Sequence, residues 1–239
     1  MAMWAVDNIH ANGGLAVFAH PFWRPRNLVH NVCDEFAALL LKSGMFDAYE
    51  LVGGMGQQGV NRSIAFWGDL RADGLKISVV GSSDVHKVNN TYTFPNYFTL
   101  CFAKEASVEA VIDAVKSGNT VAVEASGAEY SREYRAYGTM RLVTYAQFLL
   151  TYYFPKQERL CAGVGVAMRD FAVGEASAEL IELLACRVEN FRQRFFGRLE
   201  PIIPSKEMLD FEDKWRSVHL EKGPITKGSS IEPPITRQI

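Results

Sequence analysis

The chain has 239 residues, of which 48% are hydrophobic and 22% charged, with a formal net charge of -2. This composition is typical of a globular protein that is long enough for one large domain with an appendage. A charge so close to zero argues against a general attraction to nucleic acid or anionic lipid. The most apolar helical segment, 142–154, is shorter than the roughly 20 residues that a membrane span requires, so no membrane partner is expected.

The four cysteines are far apart in the sequence, and no two of them form a C-x-x-C pair. Cys101 and Cys186 lie in apolar runs, so we expect reduced and buried thiols. Reduced thiols are typical of cytoplasmic proteins. The first residues also lack the basic stretch and apolar core of a signal peptide, and we therefore expect a cytoplasmic location.

The first 126 residues alternate between short apolar runs and amphipathic segments that end in glycine. Such alternation predicts strands joined by helices in right-handed parallel crossovers, hence a doubly wound sheet or an α/β barrel. The predicted strands are 15–19, 47–52, 75–80, 97–103 and 120–125, and the predicted helices between and before them are 2–12, 31–44, 60–74 and 107–118.

Polar side chains stand at or near the carboxyl ends of the first three predicted strands. His20 ends the first strand just before Pro21, Glu50 lies near the end of the second, and the third leads into Asp84 and His86. In both fold types the chemistry gathers at this edge. The side chains of an extended Asp-x-His point to one side and can hold zinc, manganese or iron. The alternative is a serine-rich turn with an N-capping aspartate and an ordinary surface histidine.

From about residue 127 the pattern becomes helical. Helices are predicted over Glu129–Phe154, Lys156–Phe171 and Ala176–Phe196, which together form an all-helical appendage spanning 127–200. The sequence of segment 201–239 predicts a short helix, followed by a tail rich in Pro, Ser and Gly that we expect to be disordered.

Several motifs, in this order, resemble the PHP (polymerase and histidinol phosphatase) family. Gly13–Pro21 carries a Gly-Gly start and an Ala-His-Pro end, Tyr49-Glu50-Leu51 follows, and Gly81–His86 reads Gly-Ser-Ser-Asp-Val-His. A helix and strand over 107–123 extend the similarity, which covers about residues 5–125. The resemblance implies a distorted, TIM-like β/α barrel, of which 1–126 is the carboxyl-terminal part and is therefore incomplete.

The resemblance also implies an activity, the metal-dependent hydrolysis of a phosphate ester. By their positions in the motifs, His20, Asp84 and His86 are implied to be metal ligands. The intact family holds up to three divalent ions, zinc, manganese or iron. Its early His-x-His and Asp-His motifs have no counterpart before His20, so fewer ions are expected here. Three explanations for the absent motifs stay open: the chain is a fragment, one half of a split protein or a decayed homologue. Self-association or a missing amino-terminal half would complete the site.

Three further residues are candidates for contact with a small phosphorylated substrate. Arg24 lies in the loop after His20, and Lys87 directly follows His86. Both cations suit a phosphate group, although each has the ordinary explanation of a surface cation. Glu50 is a candidate rim carboxylate for substrate or metal, with a capping or ion-pair role as the alternative.

Two functions of other classes stay open. The stretch Gly54–Gly59 satisfies G-x-G-x-x-G between a predicted strand and helix, which is the position of a dinucleotide site. The next strand, however, ends in Gly-Ser-Ser rather than in an acidic residue. The other alternative is a non-catalytic remnant or interaction module whose open sheet edge pairs with another chain.

Overall fold

The computed structural model describes residues 2–23, 32–87, 96–126, 132–197, 205–207, 210 and 214. Over this part, the chain is a mixed α/β protein with two three-stranded sheets and seven helices. Two compact units are distinguished, Met1–Val188 and Glu189–Ile239, and the first contains all of these strands. The elements are α1 (Ala2–Ala11), β1 (Val17–Phe18), α2 (Asp34–Lys42), β2 (Ala48–Gly53), α3 (Gly56–Ala72), β3 (Ser78–Ser82), β4 (Tyr97–Cys101), α4 (Val108–Lys116), β5 (Thr120–Ser126), β6 (Glu133–Tyr137), α5 (Met140–Tyr152), α6 (Phe154–Ala172) and α7 (Ala178–Phe196).

The first sheet is parallel and has the order β1-β2-β3, as the sequence predicts for its first three strands. Its central strand β2 is buried along its whole length, which is the usual state of a parallel strand covered on both faces. Tyr49, Leu51 and Val52 of this strand pack with Leu41 of α2 and Val60 of α3. The carboxyl ends of these three adjacent strands therefore lie side by side at one end of the sheet.

The second sheet is antiparallel, in the order β4-β5-β6, so the expectation that all strands run parallel is wrong for this part of the chain. The helix predicted from Glu129 is also wrong in its first part, because Glu133–Tyr137 is strand β6. The segment Glu-Tyr-Arg-Ala-Tyr places its charged residues outward at every second position, which is the period of a strand.

Side-chain hydroxyl groups join the second sheet to β3. The Thr99 hydroxyl accepts a hydrogen bond from the Gly81 N–H and donates one to the Gly81 carbonyl oxygen, both at 2.9 Å. The Thr120 hydroxyl donates to the Val79 carbonyl oxygen at 2.9 Å. A side chain at position 81 would not fit, since a Cβ there would lie 2.5 Å from the Phe98 carbonyl oxygen. These bonds satisfy backbone groups at the edge strand β3 and fix its carboxyl end.

The predicted helices 156–171 and 176–196 are confirmed as α6 and α7. Burial of Cys186 is a wrong prediction, because α7 has no buried residue and this thiol is exposed. All four cysteines lie within the described residues, and none of them forms a disulfide bond there. None of the described helices is long and apolar enough to cross a membrane. Apart from 205–207, 210 and 214, the predictions for 201–239 fall outside the described residues, and the domain boundaries stay predictions.

Candidate metal and phosphate site at the strand ends

The edge formed by the carboxyl ends of β1, β2 and β3 brings together three of the residues singled out from the sequence. His20 follows β1, Glu50 lies within β2 and Asp84 follows β3. The His20 backbone N–H donates a hydrogen bond of 2.8 Å to Glu50 Oε2. The charges of His20 and Asp84 both act on the Glu50 carboxylate. Glu50 is therefore bonded to His20 and lies within electrostatic reach of Asp84.

Glu50 is the most deeply buried group of this site, with 2% of its surface exposed. Burial has the largest effect and raises the pKa of the Glu50 carboxyl. The hydrogen bond from His20 and the His20 imidazole lower this pKa, whereas the Asp84 carboxylate raises it. A cation beside these carboxylates would favour their charged forms. Glu50 forms no ion pair among the described residues. Its hydrogen bond with the His20 N–H agrees with the capping alternative, in which the carboxylate satisfies a backbone donor.

His20 and Asp84 share an unusual backbone conformation. Their φ angles are +28° and +53°, and no other non-glycine residue in the described ranges has a positive φ. Such conformations cost free energy and are found where the surroundings enforce them, often at functional sites. The Nδ1 atom of His20 is also buried and has no hydrogen-bond partner in the described part of the chain. An unpartnered ring nitrogen beside carboxylates suits a metal ion.

Two glycines make room for the carboxylates of this site. A Cβ at Gly53 would collide with Glu50 Oε1, and a Cβ at Gly54 would lie 2.9 Å from Asp84 Cβ. Without side chains, Gly53 and Gly54 let both acids pack against the end of β2. The sequence does not predict that these glycines make room for the two acids, because glycines after a strand are common in turns.

The G-x-G-x-x-G stretch follows β2 directly, and its last four residues form the first turn of α3 rather than a loop before it. Its glycines, however, are used by the protein itself. Asp84 fills the space over Gly54, and a Cβ at Gly59 would lie 2.8 Å from Met55 Cβ and 3.3 Å from the Phe22 carbonyl oxygen. Internal packing thus accounts for Gly54 and Gly59 without a pyrophosphate.

His86 lies next to Asp84 but is largely in solvent, with 79% of its side chain exposed. Its Nδ1 is 2.7 Å from the Asp84 carbonyl oxygen and 3.8 Å from Asp84 Oδ1. In the described ranges no three His, Cys, Asp or Glu side chains are already arranged to hold a metal ion. Joint coordination by His20, Asp84 and His86 therefore stays a prediction.

The remaining candidates and the comparisons add little to this geometry. Lys87 is exposed, and Arg24 lies outside the described residues. Comparison of the chain with models of protein families, with curated proteins and with solved structures found no match. The unpartnered His20 nitrogen and the carboxylates of Glu50 and Asp84 are donors of the kinds that zinc, manganese and iron take.

Proposed function

We propose that this chain belongs to a metal-dependent phosphoesterase built on a PHP-like α/β barrel. The observation that carries the proposal is the buried Glu50 carboxylate, which accepts a hydrogen bond from His20 and lies within electrostatic reach of Asp84. The Ala-His-Pro and Ser-Asp-x-His motifs support the same reading, since they contain these residues. The parallel order of β1, β2 and β3 supports a barrel segment, which further strands would have to close.

In this proposal His20, Asp84 and His86 hold the ion, and Glu50 holds His20 in place. His20 contributes its unpartnered Nδ1 and Asp84 its half-exposed carboxylate. The exposed ring of His86 is available from the solvent side. When bound, a divalent cation supplies Lewis-acid chemistry that activates water near neutral pH and offsets the charge of a phosphate ester.

The residues around these ligands have supporting tasks. The Glu50 carboxylate fixes the His20 backbone in its strained conformation through the 2.8 Å hydrogen bond. The Trp23 ring lies 6.0 Å from the His20 ring, centroid to centroid, and covers one side of it. Lys87 and Arg24 are placed by the sequence beside the ligands, where a cation would contact the phosphate of a small substrate.

The experiment compares two histidines at opposite ends of the same sheet. His10 contacts Asp47 at 2.8 Å near the amino ends of β1 and β2, so His10→Ala is the matched control for His20→Ala. The chain is loaded separately with zinc, manganese or iron(II) and dialysed, and bound metal and hydrolysis of p-nitrophenyl phosphate are measured. We expect His20→Ala and Asp84→Asn to lose most of the retained metal and activity, and His10→Ala to keep both.

Two results would contradict the proposal. Equal metal retention in His20→Ala and the parent chain would remove His20 from the ligands. If the chain retains metal but does not hydrolyse the ester, even after mixing with a candidate amino-terminal half, the proposed phosphoesterase activity is wrong.

A non-catalytic interaction module is the second candidate, and one observation favours it. Strand β1 has only two residues and forms one edge of its sheet, and no described residue pairs with its outer side. Val17 on this strand is 38% exposed. An unpaired parallel edge of this kind accepts a strand from another chain. Light scattering after size-exclusion chromatography distinguishes a stable dimer, expected for the module, from a monomer.

A further inference from the structure

A cleft of about 350 Å³ lies at the amino ends of β3 and β5, away from the candidate metal site. Residues 78 and 82 delimit β3, and at about 3.3 Å per residue the strand separates its two ends by roughly 13 Å. The cleft is therefore separate from the candidate metal site, and its role does not depend on the proposed function. Its lining includes Trp67, Arg71, Lys76, Lys116, Gly138 and Thr139.

The cleft carries three positive charges, from Arg71, Lys76 and Lys116. None of the described residues that line it is acidic. Neither lysine forms an ion pair within the described ranges, whereas the nearby Lys42 contacts Asp73 at 2.8 Å. Like charges that share a concave surface repel each other, and a bound anion removes this repulsion.

Directed hydrogen-bond donors accompany these charges. The Arg71 guanidinium lies over the Trp67 ring at 4.7 Å, which holds it at the cleft, and only a long contact of 3.5 Å joins it to the Gly138 carbonyl oxygen. Most of its five N–H donors thus remain for a ligand. An anion in the cleft would give the Arg71 donors an acceptor.

The start of α5 adds a third kind of anion-binding group. Thr139 is the N-cap of this helix and lines the cleft, but its side chain makes no capping hydrogen bond. The first turn of α5 also contains no acidic residue. The backbone N–H groups of a helix start and the positive end of the helix dipole favour an anion at this position.

We propose that this cleft binds the phosphate group of a small phosphorylated molecule. Three cations that form no ion pair among the described residues line one concavity together with a helix start that has no side-chain cap, and a dianion suits all of them. The volume of about 350 Å³ is in the range of small-molecule sites and exceeds what a bare phosphate ion fills. A phosphate ester of roughly monosaccharide size is therefore favoured over free phosphate.

Calorimetric titration of the whole chain with glucose 6-phosphate, inorganic phosphate and glucose tests the proposal. We expect glucose 6-phosphate to bind most tightly, phosphate more weakly and glucose not at all. The double variant Lys76→Gln/Lys116→Gln should weaken binding about tenfold, because it removes two charge-assisted contacts. Both lysines are exposed, so the double variant should fold, which thermal unfolding checks.

The control is Lys104→Gln, which removes the same charge from an exposed lysine that does not line the cleft. Binding in this control should stay within about twofold of the parent chain. Equal weakening in the control would show general charge attraction and overturn the proposal. Loss of binding in Asp84→Asn would place the ligand at the other end of β3 and overturn it too, as would the absence of binding by any phosphate probe.

Discussion

The two ends of the parallel sheet contain the same kinds of side chain in different states. At the amino end, His10 Nε2 lies 2.8 Å from Asp47 Oδ2, and the same oxygen accepts the Ala16 N–H at 2.7 Å. At the carboxyl end, the buried Nδ1 of His20 has no partner among the described residues, and the His20 backbone has a positive φ. An imidazole near a carboxylate is therefore not informative by itself. The conformational strain and the unpartnered atom distinguish a candidate site from a structural tie.

The largest effect that tests this comparison is expected from Gly53→Ala. The added methyl group would collide with Glu50 Oε1, so the buried carboxylate or the end of β2 must move. We expect a loss of about 3 kcal/mol in the free energy of unfolding, measured with urea.

The matched control for this substitution is Gly68→Ala, which lies in helix α3 with no atom near its added methyl group. Alanine is the better helix former, so a gain of up to about 1 kcal/mol is expected. Equal effects of the two substitutions would contradict the close packing at the carboxyl end.

A pair of aspartate substitutions compares the two ends directly. Asp47→Ala leaves the Ala16 N–H without its acceptor and should cost about 2 kcal/mol of unfolding free energy. Asp84→Gly relieves a positive φ and the repulsion on Glu50, so it should stabilise the metal-free chain by about 1 kcal/mol. A destabilised Asp84→Gly protein would show that this aspartate holds the fold together, as Asp47 does.

The smallest effect concerns the charge of Glu50 in the presence of a chelator. Burial raises the pKa of Glu50 above its ordinary value of 4.5, so the folded state holds this proton more tightly than the unfolded state. Stability of the parent chain should therefore fall as the pH rises from 4.5 through the raised pKa. Glu50→Gln keeps an acceptor for the His20 N–H and lacks this dependence.

Thermal unfolding between pH 4 and 8 checks this prediction. Glu50→Gln should match the parent at the acidic end and exceed it increasingly as the pH rises, by less than the gain from Asp84→Gly. A parent chain that gains stability relative to Glu50→Gln over this range would reverse the sign and show that Glu50 is stabilised as a carboxylate without metal.

Much of the first sheet was predictable because its strands are continuous apolar runs and its helices end in glycine. Strand β6 was missed, since its five residues precede the long helical pattern of α5 directly. The direction of β4 and β5 was also missed, because a helical connection is typical of parallel pairs. Hydrogen bonds from Thr99 and Thr120 to β3 tie the second sheet in place, and nothing in the local sequence signals them.

The sequence placed His20, Glu50 and Asp84 on one edge, which follows from strand direction alone. It could not show the positive φ angles, because neither His20 nor Asp84 is a glycine. It also underrated Glu50, although the apolar neighbours of this residue in a central strand make its burial predictable. Arrangement of the ligands around an ion depends on side-chain rotation, which periodicity does not describe.

The double hydrogen bond between the Thr99 hydroxyl and Gly81 has a consequence for assembly. Both bonds occupy Gly81 backbone groups that a strand added beyond β3 would need. Such a strand would have to displace the Thr99 hydroxyl, whereas the outer side of β1 has no partner among the described residues. An added strand would therefore meet less competition beside β1, the strand that leads into His20.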